Sequence, residues 1–251
     1  MDLYQWVVAG LDLDGKTILD AATGAGEATL VWAEYIHKHN MDARIISVDI
    51  DQPQEWIDKI RGELGELQKY VELIQADIFQ LDCLGDASID VVNCDSTIVF
   101  LNPCPLKLLT AFKEFHRVLK PRGKLVIVSE FPPEITPQTM GQWQRWNLAK
   151  AIWALNAETW SEEPRPEEVE SALELLGFAD FQCQRFPGYP IRDFQACIDE
   201  WGEMMQEKIS ELEWPQLKQA LSQQVQAVKA RISEEGFMLP DQYVLKCIKN
   251  G

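Results

Sequence analysis

The chain has 251 residues, enough for one large domain with an inserted segment. Its 40 acidic residues against 23 lysines and arginines give a formal net charge of −17. That charge disfavours binding to nucleic acid or to anionic membranes. Because the sequence has neither a bilayer-length apolar stretch nor a basic, apolar leader, we expect a soluble cytoplasmic protein.

The six cysteines are scattered along the chain, at positions 83, 94, 104, 183, 197 and 247. None forms a Cys-x-x-Cys pair, and no histidine lies at zinc-ligand spacing from two of them. We therefore expect small, buried, apolar side chains in a reducing compartment, and no metal site.

A segment near the amino terminus has the pattern of a strand, a glycine-containing turn and a helix. Thr17–Ala21 is a short apolar run that includes Asp20 and predicts a buried strand. Gly24 and Gly26 follow, and glycine permits positive φ and a close approach of a ligand to the backbone. This combination predicts the nucleotide-binding corner of a doubly wound α/β fold.

Two classes of cofactor use such a corner. A dinucleotide fingerprint has a third glycine, but Thr29 stands at that position, and Asp20 would repel a pyrophosphate. Asp-x-x-x-Gly-x-Gly instead resembles motif I of the class I S-adenosylmethionine-dependent methyltransferases. Their cofactor carries an ammonium and a sulfonium, which a carboxylate attracts. By this resemblance, the following residues bind the cofactor: Asp20, Ala22, Thr23, Gly24 and Gly26.

Acidic residues also stand at the ends of the next two predicted strands. Ala43–Ile50 ends in Asp49, which is placed to accept two hydrogen bonds from a ribose diol and fits that place better than Asp51. Val71–Ala76 is followed by Asp77, and the run around it resembles the family's adenine-binding signature. The resemblance assigns the ribose and adenine subsites to Asp49, Ile50, Asp77 and Ile78.

The fourth predicted strand is Ala87–Cys94, and its Asp90-Val91-Val92 resembles the fourth strand of these enzymes. Cys94 and Asp95 then fall at its carboxyl end, beside the methionine part of the cofactor. The later run Asn102-Pro103-Cys104-Pro105 is only superficially similar to the catalytic motif of nucleic-acid amino-methyltransferases. It comes too late and ends in proline, so we expect a turn before a helix.

The resemblance is nearly continuous over about residues 14–131 and includes a turn in which Arg122 stands where the family has glycine. It implies a doubly wound, seven-stranded, mostly parallel sheet with an antiparallel last strand, in one domain with its core at about 14–188 and 237–251. The remaining strands are predicted at Leu125–Ser129, Phe178–Phe186 and Gln242–Ile248. Helices are predicted at Glu27–Asn40, Gln54–Gln68, Leu106–Leu119, Thr136–Thr159 and Arg165–Leu176.

Three segments stand outside this plan. In Met1–Leu13, Tyr4 and Trp6 either cover the cofactor, as the resemblance implies, or only pack. The tryptophan-rich helix 136–159 is either core or an aromatic wall over the substrate. Residues 189–236 are a helical insertion that covers the substrate, packs on the tryptophan-rich helix or forms a homodimer. Its apolar stripe comprises Leu217, Leu221, Val225, Val228 and Ile232.

The function implied by the resemblance is in-line methyl transfer from S-adenosylmethionine to a small-molecule acceptor, with S-adenosylhomocysteine as product. Good positioning supplies much of such catalysis, and no metal is needed. If a general base is required, the candidates are Glu130, Asp95 and His116. Two alternatives stay open. One is a protein that binds the cofactor or its product without catalysis, and the other is an NAD-dependent oxidoreductase.

Overall fold

The computed structural model describes residues 2–251, which form two compact units. The sheet unit comprises residues 2–129, 164–186 and 243–251. The helical unit comprises residues 130–163 and 187–242, and so contains the predicted insertion 189–236 together with the tryptophan-rich segment.

The strands follow one another along the chain as β1 (Thr17–Ala21), β2 (Arg44–Asp49), β3 (Val71–Gln75), β4 (Ile89–Asp95), β5 (Leu119–Glu130), β6 (Phe178–Phe186), β7 (Pro190–Ile191), β8 (Phe237–Met238) and β9 (Gln242–Lys249). The main sheet has the order β3-β2-β1-β4-β5-β9-β6. Its pairs from β3 to β5 are parallel, and the last strand is antiparallel. The predicted fold class is therefore confirmed.

The helices are α1 (Leu3–Val8), α2 (Glu27–Lys38), α3 (Gln54–Leu64), α4 (Ile98–Leu101), α5 (Pro105–Val118), α6 (Met140–Leu155), α7 (Pro166–Leu175), α8 (Gln195–Ser210) and α9 (Pro215–Glu235). A 3₁₀ turn, Gly65–Tyr70, follows α3. The alternation of strand and helix from β1 to β6 produces the parallel part of the sheet, because a parallel connection must cross back over one face.

The centre of the sheet unit is fully buried. Ile18, Ile45 and Val92, on β1, β2 and β4, have no exposed surface, and neither has Trp32 on α2 nor Phe112 on α5. Parallel strands covered on both faces take continuous apolar runs of this kind. The packed centre fixes the carboxyl ends of these strands, and the candidate site is built there.

In the helical unit, α6 packs against α8 and α9. Trp153 of α6, Trp201 and Met205 of α8, and Val228 of α9 share one apolar cluster. A Cβ on Gly141 would lie 2.8 Å from the Ile232 side chain, so α6 and α9 approach closely at that glycine. Of the three alternatives for the insertion, the structure shows packing on the tryptophan-rich helix, through Val225, Val228 and Ile232 of its apolar stripe.

Several element boundaries differ from the predictions. Helix α3 ends at Leu64 rather than near Gln68, because Gly65 takes a positive φ of 50°. Helix α6 is also shorter than predicted, at Met140–Leu155. Strand β5 begins at Leu119, six residues before the predicted start, and contains the expected turn as an irregularity in which Arg122 has a φ of 64°.

The expectation that all six cysteines are buried is wrong for four of them. Cys94 and Cys247 lie in β4 and β9 and are buried, but Cys83, Cys104, Cys183 and Cys197 are exposed. Composition alone favours burial of free cysteine, and the exposed four lie in loops or on outward faces.

Within residues 2–251, no helix combines the length and the hydropathy that a membrane span requires.

Candidate functional site

A cavity of about 500 Å³ opens in the sheet unit at the carboxyl ends of β1, β2 and β4. Ligand-binding pockets in proteins have volumes of this order, roughly 300–1,000 Å³. Its lining residues are Tyr4, Asp20, Ala22, Thr23, Gly24, Ala25, Glu27, Ala28, Asp49, Asp51, Trp56, Asp95, Ser96, Thr97 and Phe100. The cavity therefore lies at the edge where open α/β sheets bind ligands.

The chain leaves β1 and β4 through unusual backbone conformations. Ala22 follows β1 with a φ of 62°, and Ser96 follows β4 with a φ of 50°. L-residues rarely adopt this region, and such conformations cluster at functional sites. Gly24, at a φ of 53°, has nothing within 4 Å of a hypothetical Cβ, so the turn has open space beside it.

Asp20 lies almost completely buried beneath the glycine turn, with 1% of its surface exposed. Its Oδ1 accepts the Asn93 amide N–H at 2.8 Å. Its Oδ2 accepts hydroxyl hydrogen bonds from Thr29 at 2.5 Å and from Thr23 at 3.3 Å. Burial raises the pKa of Asp20, and the three side-chain donors oppose that rise. Thr29 stands where a dinucleotide fingerprint has its third glycine, and its hydroxyl therefore helps to hold the Asp20 carboxylate in place.

Asp49 is fixed by two backbone donors. Its Oδ2 accepts the Gly24 N–H at 2.7 Å, and its Oδ1 accepts the Asp51 N–H at 3.2 Å. Each carboxylate oxygen has a second lone pair, so the group retains capacity for a diol. This contact joins the end of β2 to the glycine turn after β1, which brings two of the predicted subsites together.

Asp95 is the last residue of β4 and is held by Ser96 and Tyr4. The Ser96 hydroxyl donates to its Oδ1 at 2.9 Å, and the Tyr4 hydroxyl also hydrogen bonds to the carboxylate. Burial raises the pKa of Asp95 to about 6, and the negative charges of Asp20 and Glu27 add to the rise, while both hydrogen bonds oppose it. Tyr4 thus lines the cavity, as one of the two predicted roles for it required.

The cavity is lined by acids. Five carboxylates line it, those of Asp20, Glu27, Asp49, Asp51 and Asp95, and no lysine, arginine or histidine occurs among the lining residues that the structure describes. Such a cavity repels a pyrophosphate and attracts a cation. These carboxylates therefore favour a ligand with a sulfonium and an ammonium, and they disfavour NAD.

Five of the residues assigned by resemblance do not line this cavity: Gly26, Ile50, Asp77, Ile78 and Cys94. Gly26 has another role, because a Cβ there would lie 2.5 Å from Cγ1 of Ile60 on α3. Cys94 and Ile78 are buried, and the Asp77 carboxylate accepts the Phe79 N–H at 2.8 Å. A role for these residues in binding the cofactor stays a prediction.

Two of the three candidate bases also lie elsewhere. His116 packs edge-on against Phe178, with ring centroids 5.4 Å apart, and both burial and Lys249 lower its pKa. Glu130 ends β5 and belongs to the helical unit. Trp6 contacts Phe186 and Lys246 and does not line the cavity. Of the candidates, only Asp95 faces the cavity.

Some cavity residues were not predicted from the sequence. Trp56 and Phe100 line it with 38% and 69% of their surfaces exposed, as rings that a ligand could cover. Thr97 also lines the cavity. The hydroxyl groups of Ser47 and Thr29 share a hydrogen bond of 2.8 Å, and both residues are buried. The only sequence signal for Trp56 is its place shortly after Asp49 and Asp51, and Phe100 has none.

Across residues 2–251, no group of three or more histidine, cysteine, aspartate or glutamate side chains is arranged to hold a metal ion.

A family model described as a methyltransferase domain matches residues 12–180, which is more than half of the chain. The chain belongs to this methyltransferase family. S-Adenosylmethionine is its cofactor, in agreement with the acidic cavity.

A curated relative of this chain is the cypemycin N-terminal methyltransferase of a Streptomyces species. The two are 29% identical over 132 residues. The match covers 53% of this chain and 49% of the relative, so the chain spans about half the length of the curated protein it matches.

Solved structures share the fold of this chain at low sequence identity. A cyclopropane-fatty-acyl-phospholipid synthase-like protein from Lactobacillus casei has a TM-score of 0.70 at 13% identity, over 94% of this chain and 85% of its own. Phosphoethanolamine N-methyltransferase 2 of Haemonchus contortus, in complex with S-adenosyl-L-methionine, has a TM-score of 0.56 at 13% identity, over 99% of this chain and 56% of its own.

Proposed function

We propose that this protein transfers a methyl group from S-adenosylmethionine to a small-molecule acceptor by direct in-line displacement. The observation that carries the proposal is the acidic cavity at the carboxyl ends of β1, β2 and β4, whose five carboxylates favour a cationic ligand. When bound, the cofactor supplies an electrophilic methyl group on a sulfonium. An acceptor lone pair forms the new bond to that carbon while the bond from sulfur breaks, and S-adenosylhomocysteine leaves.

The chain's own residues supply position and charge. Asp49, held by the Gly24 and Asp51 N–H groups, accepts the ribose hydroxyls. Asp95, held by Ser96 and Tyr4, faces the cofactor ammonium. Because orientation alone can contribute up to roughly 7–11 kcal/mol, a cavity without a nucleophile–base pair is compatible with this reaction.

The acceptor in this proposal is a small molecule rather than a nucleic acid or a membrane. The net charge of −17 supports that choice. The Streptomyces relative is named an N-terminal methyltransferase and the Haemonchus neighbour an N-methyltransferase. Both names support an amine as the first acceptor class to screen. We keep a homodimer through residues 189–236 as a prediction, although the buried part of their apolar stripe is already packed within the helical unit.

The proposal is tested first by calorimetric titration with S-adenosylmethionine and, separately, with NADH. We expect micromolar binding of the first and none of the second. Asp49→Asn should weaken S-adenosylmethionine about a hundredfold, because it removes the charge and turns an amide N–H toward the Gly24 donor.

Asp51→Asn is the matched control for this variant. It removes the same charge from the same cavity without touching the Gly24 contact, so only a few-fold loss is expected. Equal losses in the two variants would place the ribose at neither residue in particular. Binding of NADH in preference to S-adenosylmethionine would overturn the proposed function.

A second candidate function is binding of the cofactor or its product without catalysis. The observation that favours it is the engagement of Asp95, the one candidate base in the cavity, with Ser96 and Tyr4. Turnover separates the two functions. The enzyme should transfer label from methyl-labelled S-adenosylmethionine to at least one amine of a mixed panel, whereas a binding protein should bind the cofactor and transfer none.

A further inference from the structure

The short helix α1 belongs to the sheet unit and contributes one side chain to the acidic cavity. Tyr4 lines the cavity, and its hydroxyl hydrogen bonds to the carboxylate of Asp95. Trp6 lies two residues further along the helix, about 200° around its axis, and contacts Phe186 and Lys246 instead. Opposite sides of α1 therefore contact the cavity and the strands β6 and β9.

The contacts of α1 decide its position, because a helix of six residues is too short to be stable by itself. At its amino-terminal end, Asp2 and Gln5 form a capping box, with hydrogen bonds of 2.7 and 3.3 Å. Val7 and Val8 are buried in the core of the sheet unit. The carbonyl groups of the last turn have no donors within a regular helix and need donors from elsewhere.

Lys246 of β9 supplies donors to that end of α1. Its Nζ donates to the Trp6 carbonyl at 2.6 Å and to the Ala9 carbonyl at 3.0 Å, and it lies 4.3 Å from the ring centroid of Trp6. A cation is favourable at the carboxyl end of a helix, and hydrogen bonds from a charged donor are stronger than neutral ones. These contacts join two segments that are 240 residues apart in sequence.

The position of Lys246 is otherwise unfavourable for a cation. Burial lowers the pKa of Lys246 to about 8, and the positive charge of Lys124 adds to this effect. A charge that is removed from water needs compensating partners. Here the partners are two carbonyl oxygens and one ring, and all of them belong to α1 or to the residue that caps it. Lys246 and α1 therefore stabilise each other's position.

A second lysine of β9 makes equivalent contacts at another helix. The Nζ of Lys249 donates to the carbonyls of His116 and Leu119, at 2.7 and 2.8 Å, where α5 ends. Both lysines thus bind two carbonyls at the carboxyl end of a helix of the sheet unit. Among the residues that the structure describes, α5 contributes none to the lining of the cavity. Lys249 is therefore a matched control for Lys246.

We propose that Lys246 is a positioning residue for the cofactor, because it holds the carboxyl end of α1 and thereby keeps the Tyr4 hydroxyl on the carboxylate of Asp95. This inference rests on the proposed function, in which Asp95 faces the cofactor ammonium. Lys246 does not line the cavity, so it acts through Tyr4 and Asp95. Binding of the amino acid part of the cofactor then depends on Lys246, whereas binding of the ribose at Asp49 does not.

The first test compares Lys246→Met with Lys249→Met by calorimetric titration of the full chain with S-adenosylhomocysteine. Both variants lose one ammonium group that binds two carbonyls, and methionine keeps most of the apolar side chain. Lys246→Met should weaken binding about tenfold, as expected for the loss of one hydrogen bond to a charged group, and Lys249→Met less than about twofold. Equal affinities of the two variants would overturn the inference.

The second test separates the two parts of the ligand. 5′-Methylthioadenosine has the adenine, ribose and thioether of S-adenosylhomocysteine but lacks the amino acid. Lys246→Met should bind 5′-methylthioadenosine as wild type does and should lose affinity only for S-adenosylhomocysteine. A general disturbance of the cavity would weaken both ligands equally, and that result would contradict a role through Asp95.

A double-mutant cycle with Tyr4→Phe tests the route from Lys246 to the cavity. This substitution keeps the ring and removes the hydroxyl that contacts Asp95. If Lys246 acts through Tyr4, the double variant should bind S-adenosylhomocysteine about tenfold more weakly than wild type, as each single variant does. Independent effects would instead multiply to about a hundredfold loss, and the inference would then be wrong.

Trp6→Leu tests the same contact should Lys246→Met fail to fold. It removes the ring beside the ammonium and leaves the two carbonyl contacts, so S-adenosylhomocysteine should bind about threefold more weakly. The affinity for 5′-methylthioadenosine should stay unchanged. A folded Trp6→Leu with the wild-type affinity for S-adenosylhomocysteine would overturn the inference. Failure of wild type to bind either ligand would count against the proposed function instead.

Discussion

Asp20 in the sheet unit and Arg145 in the helical unit are both largely buried charged side chains, but their surroundings differ. Asp20 accepts hydrogen bonds from three side chains, those of Thr23, Thr29 and Asn93. Arg145 donates one hydrogen bond of 3.3 Å and otherwise faces aromatic rings. The first charge is satisfied within the chain, and the second is not.

This difference separates a charge that oriented hydrogen-bond donors hold from one that aromatic faces mainly hold. The donors around Asp20 are already oriented in the folded chain, and such preorganisation limits the entropy lost when a ligand binds beside them.

The largest expected effect tests how completely Asp20 is integrated into the fold. Asp20→Ala should lower the free energy of unfolding by about 3 kcal/mol, because the donors of Asn93 and Thr29 lose their acceptor in a buried site. Urea unfolding should show a lower midpoint at an unchanged slope. Thr29→Val removes one donor and keeps the volume, so its cost should be about 1 kcal/mol. If Asp20→Ala left the free energy of unfolding unchanged, the contrast between Asp20 and Arg145 would not hold.

The next effect concerns Glu163, another buried acid of the helical unit. Trp146 Nε1 donates to it at 2.7 Å, yet burial raises its pKa to about 7 from an ordinary 4.5. A raised pKa means that its stabilising contribution is present below pH 4.5 and is lost as pH rises through about 7. Glu163→Gln keeps an acceptor for Trp146. It should therefore increase the stability by roughly 2 kcal/mol above about pH 8 and change little near pH 4.5.

Thermal melts of wild type and Glu163→Gln across this pH range measure the difference directly. Glu162→Gln is a suitable control, because Glu162 is an exposed neighbour that also lies near Lys150, at 3.8 Å. Parallel curves of stability against pH for wild type and Glu163→Gln would contradict the raised pKa of Glu163.

The smallest effect is a pH dependence of cofactor binding through Asp95. Since its pKa is about 6, the Asp95 carboxylate, which we propose faces the cofactor ammonium, is protonated below that pH. Affinity for S-adenosylmethionine should rise as pH increases through 6. Below pH 6, the affinity should fall by up to about tenfold for each pH unit. Calorimetry in overlapping buffers measures the slope. Asp95→Asn should bind more weakly at neutral pH and lose this dependence, and two parallel profiles would exclude Asp95 as the titrating group.

The sheet and the cofactor corner were predictable because they follow from local patterns. The bounds of β1 and β6 agree with the predicted ones, and Asp20, Gly24 and Asp49 line the cavity, at the strand ends where their spacing placed them. A strand end fixes the position of the residue that follows it, so spacing carries information about the site.

The rest depends on contacts that are distant in sequence. The spacing of apolar residues placed a helix around Arg145, but its burial results from rings on α8 and β8. Phe100 lines the cavity after the chain turns at Ser96, which has a positive φ. A serine does not by itself predict that backbone conformation. Strands β7 and β8 have two residues each and form only through their mutual pairing.

The place of β9 between β5 and β6 bears on how the chain folds during synthesis. The edge strand β6 leaves the ribosome before the strand that joins it to the rest of the sheet. The helical unit is likewise complete only after residue 242 has been made, since it consists of two separate excursions of the chain. Nascent chains therefore carry half of an apolar cluster until residue 242 has emerged and an unpaired strand edge until β9 has emerged, and exposed surfaces of this kind are the ones that chaperones protect.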